Sequence, residues 1–182
     1  MKRIGLVVLV GLMLCLGTTL FAGLEEADDL YNQGKYAEAL AEYQNALPTL
    51  SGEDASLTQF HIGCCLEAQK KYDEAILEYQ KVSAIPNANP YYISNAQWHI
   101  GYLLEAQGKS DEAQQYYLAI CRQEGTSLYL YKLAFSKINK TKLGRDGYIK
   151  LLQDMIFIIP ATQENAEFLG ILKSELKKLG VE

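Results

Sequence analysis

Two stretches of the chain nearly repeat each other, and they decide the fold. Residues 67–75 read EAQKKYDEA and residues 105–113 read EAQGKSDEA, so seven of nine positions match at a separation of 38. Just upstream of each, the same separation relates FHIG, which begins at Phe60, to WHIG, which begins at Trp98. An earlier copy ends in the same way, since GKYAEA at residues 34–39 stands 36 positions before residues 70–75. A near-copy at this period indicates one supersecondary unit stacked several times.

Each copy has the spacing of two amphipathic helices. In the second copy, Ile62 and Leu66 lie four positions apart before a break at Lys70, and Ile76 and Tyr79 resume the helical spacing after it. We therefore predict a helix pair joined by a tight turn in every copy. The turns of the three copies are expected around Gly34, Lys70 and Gly108.

Glycines occupy matching positions on the first helix of two copies, at Gly63 and Gly101. A glycine inside a helix costs about 1 kcal/mol relative to alanine. Two such glycines predict a close approach of the paired helix, with no room for a side chain between them. The second helices keep a tyrosine at matching positions, namely Tyr43, Tyr79 and Tyr117.

This order of small residues, aromatic residues and turns resembles the tetratricopeptide repeat family, whose helix–turn–helix unit is usually 34 residues long. The resemblance implies an all-α solenoid, a right-handed superhelix of stacked helix pairs. The longer spacing here comes from longer connections between the copies, at residues 48–56 and 86–90. We predict three repeats within residues 23–125, at residues 23–50, 55–87 and 92–122.

Residues 126–182 are expected to cap the array with further helices. One helix is predicted from Ser127 to Asn139 and another from Tyr148 to Ile159, with a turn at residues 144–147 between them. The second of these is apolar on nearly every side, which predicts burial. Thr162 is predicted to cap a last helix, whose apolar stripe either covers the open end of the stack or forms a dimer seam. The stripe consists of Ala166, Leu169, Leu172, Leu176 and Leu179.

Residues 1–22 have the layout of a secretory signal peptide. Lys2 and Arg3 precede an uncharged run from Ile4 to Ala22, and acidic residues follow at once. We predict cleavage after Ala22 and export to a bacterial periplasm, the cell envelope or the medium. Two alternatives stay open. The 19-residue run is long enough to remain as a membrane anchor, and Cys15 raises the possibility of a lipoprotein site.

Composition and charge exclude several classes of protein and of partner. The 182 residues are 49% hydrophobic and 21% charged, which excludes a long disordered tail and a disulfide-dense mini-protein. The formal net charge is −5, and residues 23–125 alone carry 6 basic and 16 acidic residues. A nucleic-acid binder needs a basic surface to neutralise phosphates, so we expect no nucleic-acid partner.

By the family resemblance, the first helix of each repeat lines a concave groove that binds another protein or a peptide. Family members that bind the carboxylate end of a peptide use Lys and Arg there, and the matching positions here are aromatic and acidic instead. We therefore expect a neutral or basic partner segment with apolar side chains. The alternative is that Phe60 and Trp98 pack between repeats. The candidate groove residues are Asp28, Tyr31, Asn32, Phe60, His61, Cys64, Glu67, Trp98, His99, Tyr102 and Glu105.

Other chemistries have weaker support. His61, Cys64 and Cys65 have the spacing of metal ligands on a helix, which leaves a metal- or thiol-based envelope protein as an alternative. Against it, His99 lies on a helix about 10 Å away in such a stack. A disulfide from Cys64 or Cys65 to Cys121 also stays open. No nucleophile–base signature or phosphate loop is evident, so we expect a scaffold without cofactor or catalysis, or a membrane-anchored assembly factor if residues 1–22 are retained.

Overall fold

The computed structural model describes residues 23–181, and every regular element within them is helical. This confirms the expected all-α fold of helical repeats. No helix in this part of the chain is both long enough and apolar enough to cross a membrane. The expected signal peptide lies outside the described residues. The helices are α1 (23–32), α2 (Tyr36–Ala46), α3 (Gly52–Ala68), α4 (Tyr72–Val82), α5 (Pro90–Ala106), α6 (Ser110–Cys121), α7 (Leu128–Ser136), α8 (Lys140–Ile158) and α9 (Ala166–Lys178), with a short 3-10 turn at Leu47–Thr49.

The chain divides into two compact units, one ending at Asn87 and the other beginning at Ala88. The N-terminal unit contains α1 to α4, and its α3 packs against both α2 and α4. The C-terminal unit contains α5 to α9. There α5 packs against α6, α7 packs against α6 and α5, and α8 packs against α9.

The three predicted turns share one backbone geometry. Gly34, Lys70 and Gly108 all adopt left-handed backbone angles, with φ of 77°, 62° and 76°. In the second copy the N–H of Lys71 donates to the carbonyl of Leu66 at 2.9 Å, and the equivalent bond in the first and third copies has the same length. This 6→1 bond satisfies a carbonyl at the helix end. The turn predictions are confirmed, and Lys70 holds a conformation that favours glycine.

The predicted close contact between paired helices is also confirmed. A Cβ atom added to Gly63 would stand 2.5 Å from the ring of Tyr79, and one added to Gly101 would stand 2.7 Å from the ring of Tyr117. Both tyrosines are almost completely buried. In the first copy the matching residue is Ala27, which is fully buried.

The helix boundaries near residue 140 differ from the prediction. α7 ends at Ser136 rather than Asn139, and Asn139 caps α8 by accepting a hydrogen bond from the N–H of Lys142 at 3.0 Å. The break predicted between two helices at residues 144–147 is found at Gly144, where φ is 72° and α8 is kinked. Residues 145–147 belong to the helical segment that follows the kink, so the turn is shorter than predicted.

The burial predicted for residues 148–159 holds for one face of α8 only. Leu151, Leu152 and Met155 are fully buried on one face, but the side chain of Phe157 is 89% exposed. One face of α8 packs against α9 and α6. The opposite face meets solvent and carries Lys150, Gln153 and Phe157.

The last helix begins later than predicted. α9 begins at Ala166, and its N-cap position is Asn165 rather than Thr162. The hydroxyl of Thr162 accepts a hydrogen bond from the N–H of Asn165 at 3.3 Å, which closes the turn at residues 163–165 just before the helix. Leu169 and Leu172 are buried within the chain. These two positions of the predicted stripe are therefore used in packing inside the C-terminal unit. The dimer seam stays a prediction for the rest of the stripe.

Candidate functional site

A tyrosine on the second helix of each repeat is hydrogen-bonded to a carboxylate on the first helix. The hydroxyl of Tyr79 donates to Glu67 at 2.7 Å, and the hydroxyl of Tyr117 donates to Glu105 at 3.0 Å. Glu105 also forms an ion pair with Lys137, with an Nζ–Oε2 distance of 2.7 Å. Both glutamates, expected to face a partner, are thus engaged within their own unit. The sequence signal for this pairing is the same 12-residue separation in both copies.

In the first repeat, the tyrosine of the second helix also donates to a carboxylate of the first helix, but that carboxylate lies one helical turn closer to the N-terminus. Tyr43 donates a hydrogen bond to Asp28, and the position matching Glu67 is occupied by Tyr31. The first copy therefore presents an aromatic ring where the other copies present a carboxylate. The positions of Asp28 and Tyr31 on consecutive turns of α1 place a carboxylate beside a phenol ring on one face.

Five rings of the N-terminal unit form a continuous group, which we call the aromatic cluster: Tyr31, Tyr43, Phe60, His61 and Tyr79. The ring of His61 is nearly parallel to that of Tyr31, at 15° with centroids 6.2 Å apart, and it lies 5.2 Å from Tyr43. Phe60 lies 6.0 Å from His61 and 5.6 Å from Tyr79. The cluster ties α1, α2, α3 and α4 together while Tyr31, Phe60 and His61 remain half-buried.

His61 combines burial with an acidic neighbour. Its Nδ1 atom is buried without a hydrogen-bond partner and lies 3.6 Å from Oδ1 of Asp28. Burial lowers the pKa of His61, and the nearby Asp28 opposes that shift only in part. The imidazole is therefore neutral at neutral pH. Burial also raises the pKa of Tyr31 to about 12, with further contributions from Cys64 and Cys65.

The three cysteines of the described residues are free, so the disulfide that the sequence left open is absent from this structure. Burial raises the pKa of Cys64 to about 11 and that of Cys65 and Cys121 to about 12. Cys64 also accepts a hydrogen bond from the hydroxyl of Tyr79 at 3.4 Å. Thiol chemistry needs the thiolate, which these environments disfavour. In residues 23–181 no three His, Cys, Asp or Glu side chains are arranged to hold a metal ion.

The candidate residues of the third repeat are less closely grouped. Trp98 is half-buried, with its ring 5.3 Å from that of Tyr117 on the paired helix. His99 is half-buried, whereas the side chain of Tyr102 is 53% exposed. In the first repeat, Asn32 is exposed at the end of α1.

Phe60 and Trp98 therefore share one role in their repeats. Each ring contacts the buried tyrosine of its own helix pair, Tyr79 or Tyr117, and each keeps part of its surface open. A ring in this position stabilises the helix pair and also offers contact area to a partner.

Comparison with known proteins agrees with this geometry. Two family models described as tetratricopeptide repeat match residues 24–90 and residues 95–127, which together make up more than half of the chain. A search of curated proteins found no match. Tetratricopeptide repeats bind other proteins or peptides and are generally non-catalytic scaffolds. The matched segments carry the paired helices, the shared turns and the glycine–tyrosine contacts described above, and the chain belongs to the tetratricopeptide repeat family.

Proposed function

We propose that the protein is an exported, non-catalytic interaction module that holds a segment of another protein in the cell envelope. The first helices of its repeats supply the binding surface. The aromatic cluster is the observation that carries this proposal. Its half-buried rings are fixed by contacts with their neighbours, and rigid aromatic side chains give large contact area at low entropic cost.

Charge favours a basic or neutral partner segment. Residues 23–87 contain twelve acidic residues and four lysines, a net charge of −8. A surface of this sign attracts cationic segments over a Debye length and repels acidic ones. Apolar side chains of the partner would meet the open part of Phe60 in this unit.

Export is supported by residues 1–22, in which two cations precede a 19-residue uncharged run. The proposal requires that the mature protein in the envelope fraction begins at Gly23. N-terminal sequencing of the isolated protein checks this. A mature chain that retains Met1 in a membrane fraction would favour the anchored assembly factor instead.

A matched pair of variants tests the interaction surface. Tyr102 and Leu77 are similarly exposed, at 53% and 58%, but Tyr102 lies on a first helix and Leu77 on a second helix. Replacing either exposed side chain by alanine should change the free energy of unfolding by less than about 0.5 kcal/mol. We expect Tyr102→Ala to reduce severalfold the amount of partner that copurifies with the tagged protein, and Leu77→Ala to leave it unchanged. Equal recovery with both variants would contradict the proposal.

A further inference from the structure

We propose that Asp28, Tyr31 and His61 form a subsite that receives the guanidinium group of an arginine in the partner segment. This inference rests on the proposed function and specifies the side chain that the N-terminal unit recognises. The orientation of one carboxylate, the stacking of two rings and the charge of the unit around them support it.

The carboxylate of Asp28 is held in place and yet open to solvent. Its Oδ1 atom accepts a hydrogen bond from Tyr43 on α2 and lies 3.6 Å from Nδ1 of His61 on α3. The side chain is nevertheless 54% exposed. A carboxylate that is oriented before a ligand arrives binds it with less loss of conformational entropy.

The ring of Tyr31 stands one helical turn from Asp28 on the same face of α1. It is nearly parallel to the ring of His61, and the ring of Tyr36 meets it edge-on at 5.2 Å. The orientation of the Tyr31 ring is thereby fixed while part of its surface stays open. Cations are attracted to the face of a tyrosine ring, and a planar guanidinium can stack on it.

These groups favour arginine over lysine. Arginine presents a fork of N–H donors that matches the two oxygens of a carboxylate, and its planar head stacks on aromatic rings. Lysine offers a compact and strongly hydrated ammonium group instead. An aromatic face beside a single oriented carboxylate therefore suits the guanidinium group.

The electrostatic environment keeps the negative charge of Asp28 available. Burial keeps His61 neutral at neutral pH, so no imidazolium competes with an incoming cation. The positions matching Asp28 in the other copies are Cys64 and Tyr102, and those matching Tyr31 are Glu67 and Glu105. The third repeat carries the same two groups in reverse order, Tyr102 and then Glu105, but there the carboxylate is already paired with Lys137.

A direct test uses the full chain and two small probes, N-acetyl-arginine amide and N-acetyl-citrulline amide, which differ mainly in charge. Side-chain NMR signals of His61 and Tyr31 are followed during titration at pH 7.5. We expect saturable shifts at millimolar concentrations of the arginine probe and none with the citrulline probe. Absence of shifts with arginine, equal shifts with citrulline, or stronger shifts with N-acetyl-lysine amide would each overturn the inference.

Three variants locate the binding. Asp28→Asn removes the charge but keeps an oxygen that can accept the hydrogen bond from Tyr43, and it should weaken arginine binding about tenfold. Tyr31→Leu should weaken it as well, whereas Tyr31→Phe keeps the ring and should preserve it. The control is Glu38→Gln, which removes one exposed carboxylate from α2 of the same unit. If Glu38→Gln and Asp28→Asn weaken arginine binding equally, the net charge of the unit accounts for the binding and the subsite is wrong.

The same variants separate this inference from the proposed function. If Tyr102→Ala lowers partner recovery and Asp28→Asn does not, the arginine subsite is wrong and the interaction surface stands. If neither variant lowers partner recovery, the proposed surface itself is wrong.

Discussion

The ring of Tyr79 lies so close to the backbone of Gly63 that a methyl group on Gly63 would stand 2.5 Å from it. Helices α3 and α4 meet at this contact, and α5 and α6 meet at the matching contact between Gly101 and Tyr117. The hydroxyls of the same two tyrosines reach the glutamates of the first helices. Each buried tyrosine therefore sets both the distance and the register of its helix pair.

Gly63→Ala should lower the free energy of unfolding by about 1–3 kcal/mol, because overpacking outweighs the better helix propensity of alanine. Urea denaturation measures this difference. The control is Gly170→Ala in α9, where an added Cβ meets no atom within 4 Å, and it should be stabilising by about 0.5–1 kcal/mol. Unchanged or higher stability of Gly63→Ala would show that Tyr79 can move aside.

Lys70→Gly should raise the free energy of unfolding by up to about 1 kcal/mol, because a left-handed backbone strains a residue that carries a Cβ atom. The reciprocal changes Gly34→Lys and Gly108→Lys place lysine at the same turn position and should cost about 1–2 kcal/mol each. Thermal unfolding of the three variants compares them. A loss of stability in Lys70→Gly would contradict the shared turn geometry.

The link between Tyr79 and Glu67 should appear as a coupling energy. Tyr79→Phe removes the donor and Glu67→Met removes the acceptor. The two are combined in a double-mutant cycle, with an expected coupling of about 1 kcal/mol in the free energy of unfolding. The matching cycle of Tyr117 with Glu105 serves as an independent repeat of the measurement. Additive effects in both cycles would mean that these hydrogen bonds contribute nothing to the helix pairs.

The stability of the protein should depend on pH through His61. Burial lowers the pKa of His61 below the value of 6.5 for an unperturbed imidazole, so the unfolded chain binds the proton more readily. Its contribution to stability is full above about pH 6.5 and is lost as the pH falls through the pKa of the folded state. The urea concentration at the midpoint of unfolding should therefore decrease as the pH is lowered from about 8 to about 5, a range in which carboxylates stay ionised.

His61→Gln should remove this part of the pH dependence, and His99→Gln, which alters the matching residue of the third repeat, should keep it. The same slope in wild type and His61→Gln would show that another group titrates.

The sequence predicts the repeats well because the copies can be aligned with one another. Gly63 with Gly101, and Gly34 with Lys70 and Gly108, identify close contacts and turns by recurring at one period. Residues beyond 126 have no second copy, and there the predicted boundaries of α7, α8 and α9 differ from the structure. Within the repeats, the connection expected at residues 48–56 is shorter, because α3 already begins at Gly52. The apolar side chain of Phe157 illustrates the reason, since composition alone does not say which face of α8 is covered.

The candidate site is predictable only in part. Helical spacing groups Tyr31, Phe60, His61, Cys64 and Glu67, but it does not reveal which polar groups are already engaged. The pairing of Glu67 with Tyr79 and of Asp28 with Tyr43 depends on how two helices lie against each other. The carboxylate that accepts the tyrosine bond lies one helical turn earlier in the first repeat than in the other two. This difference arises from the packing of the two helices.

The binding face is tested most directly by photo-crosslinking in the cells that produce the protein. A photoreactive phenylalanine analogue is placed at Phe60, on a first helix, or at Leu77, on a second helix of the same repeat. We expect one discrete crosslinked partner from position 60 and none from position 77. Discrete crosslinks from position 77 alone would contradict the claim that the first helices hold the partner.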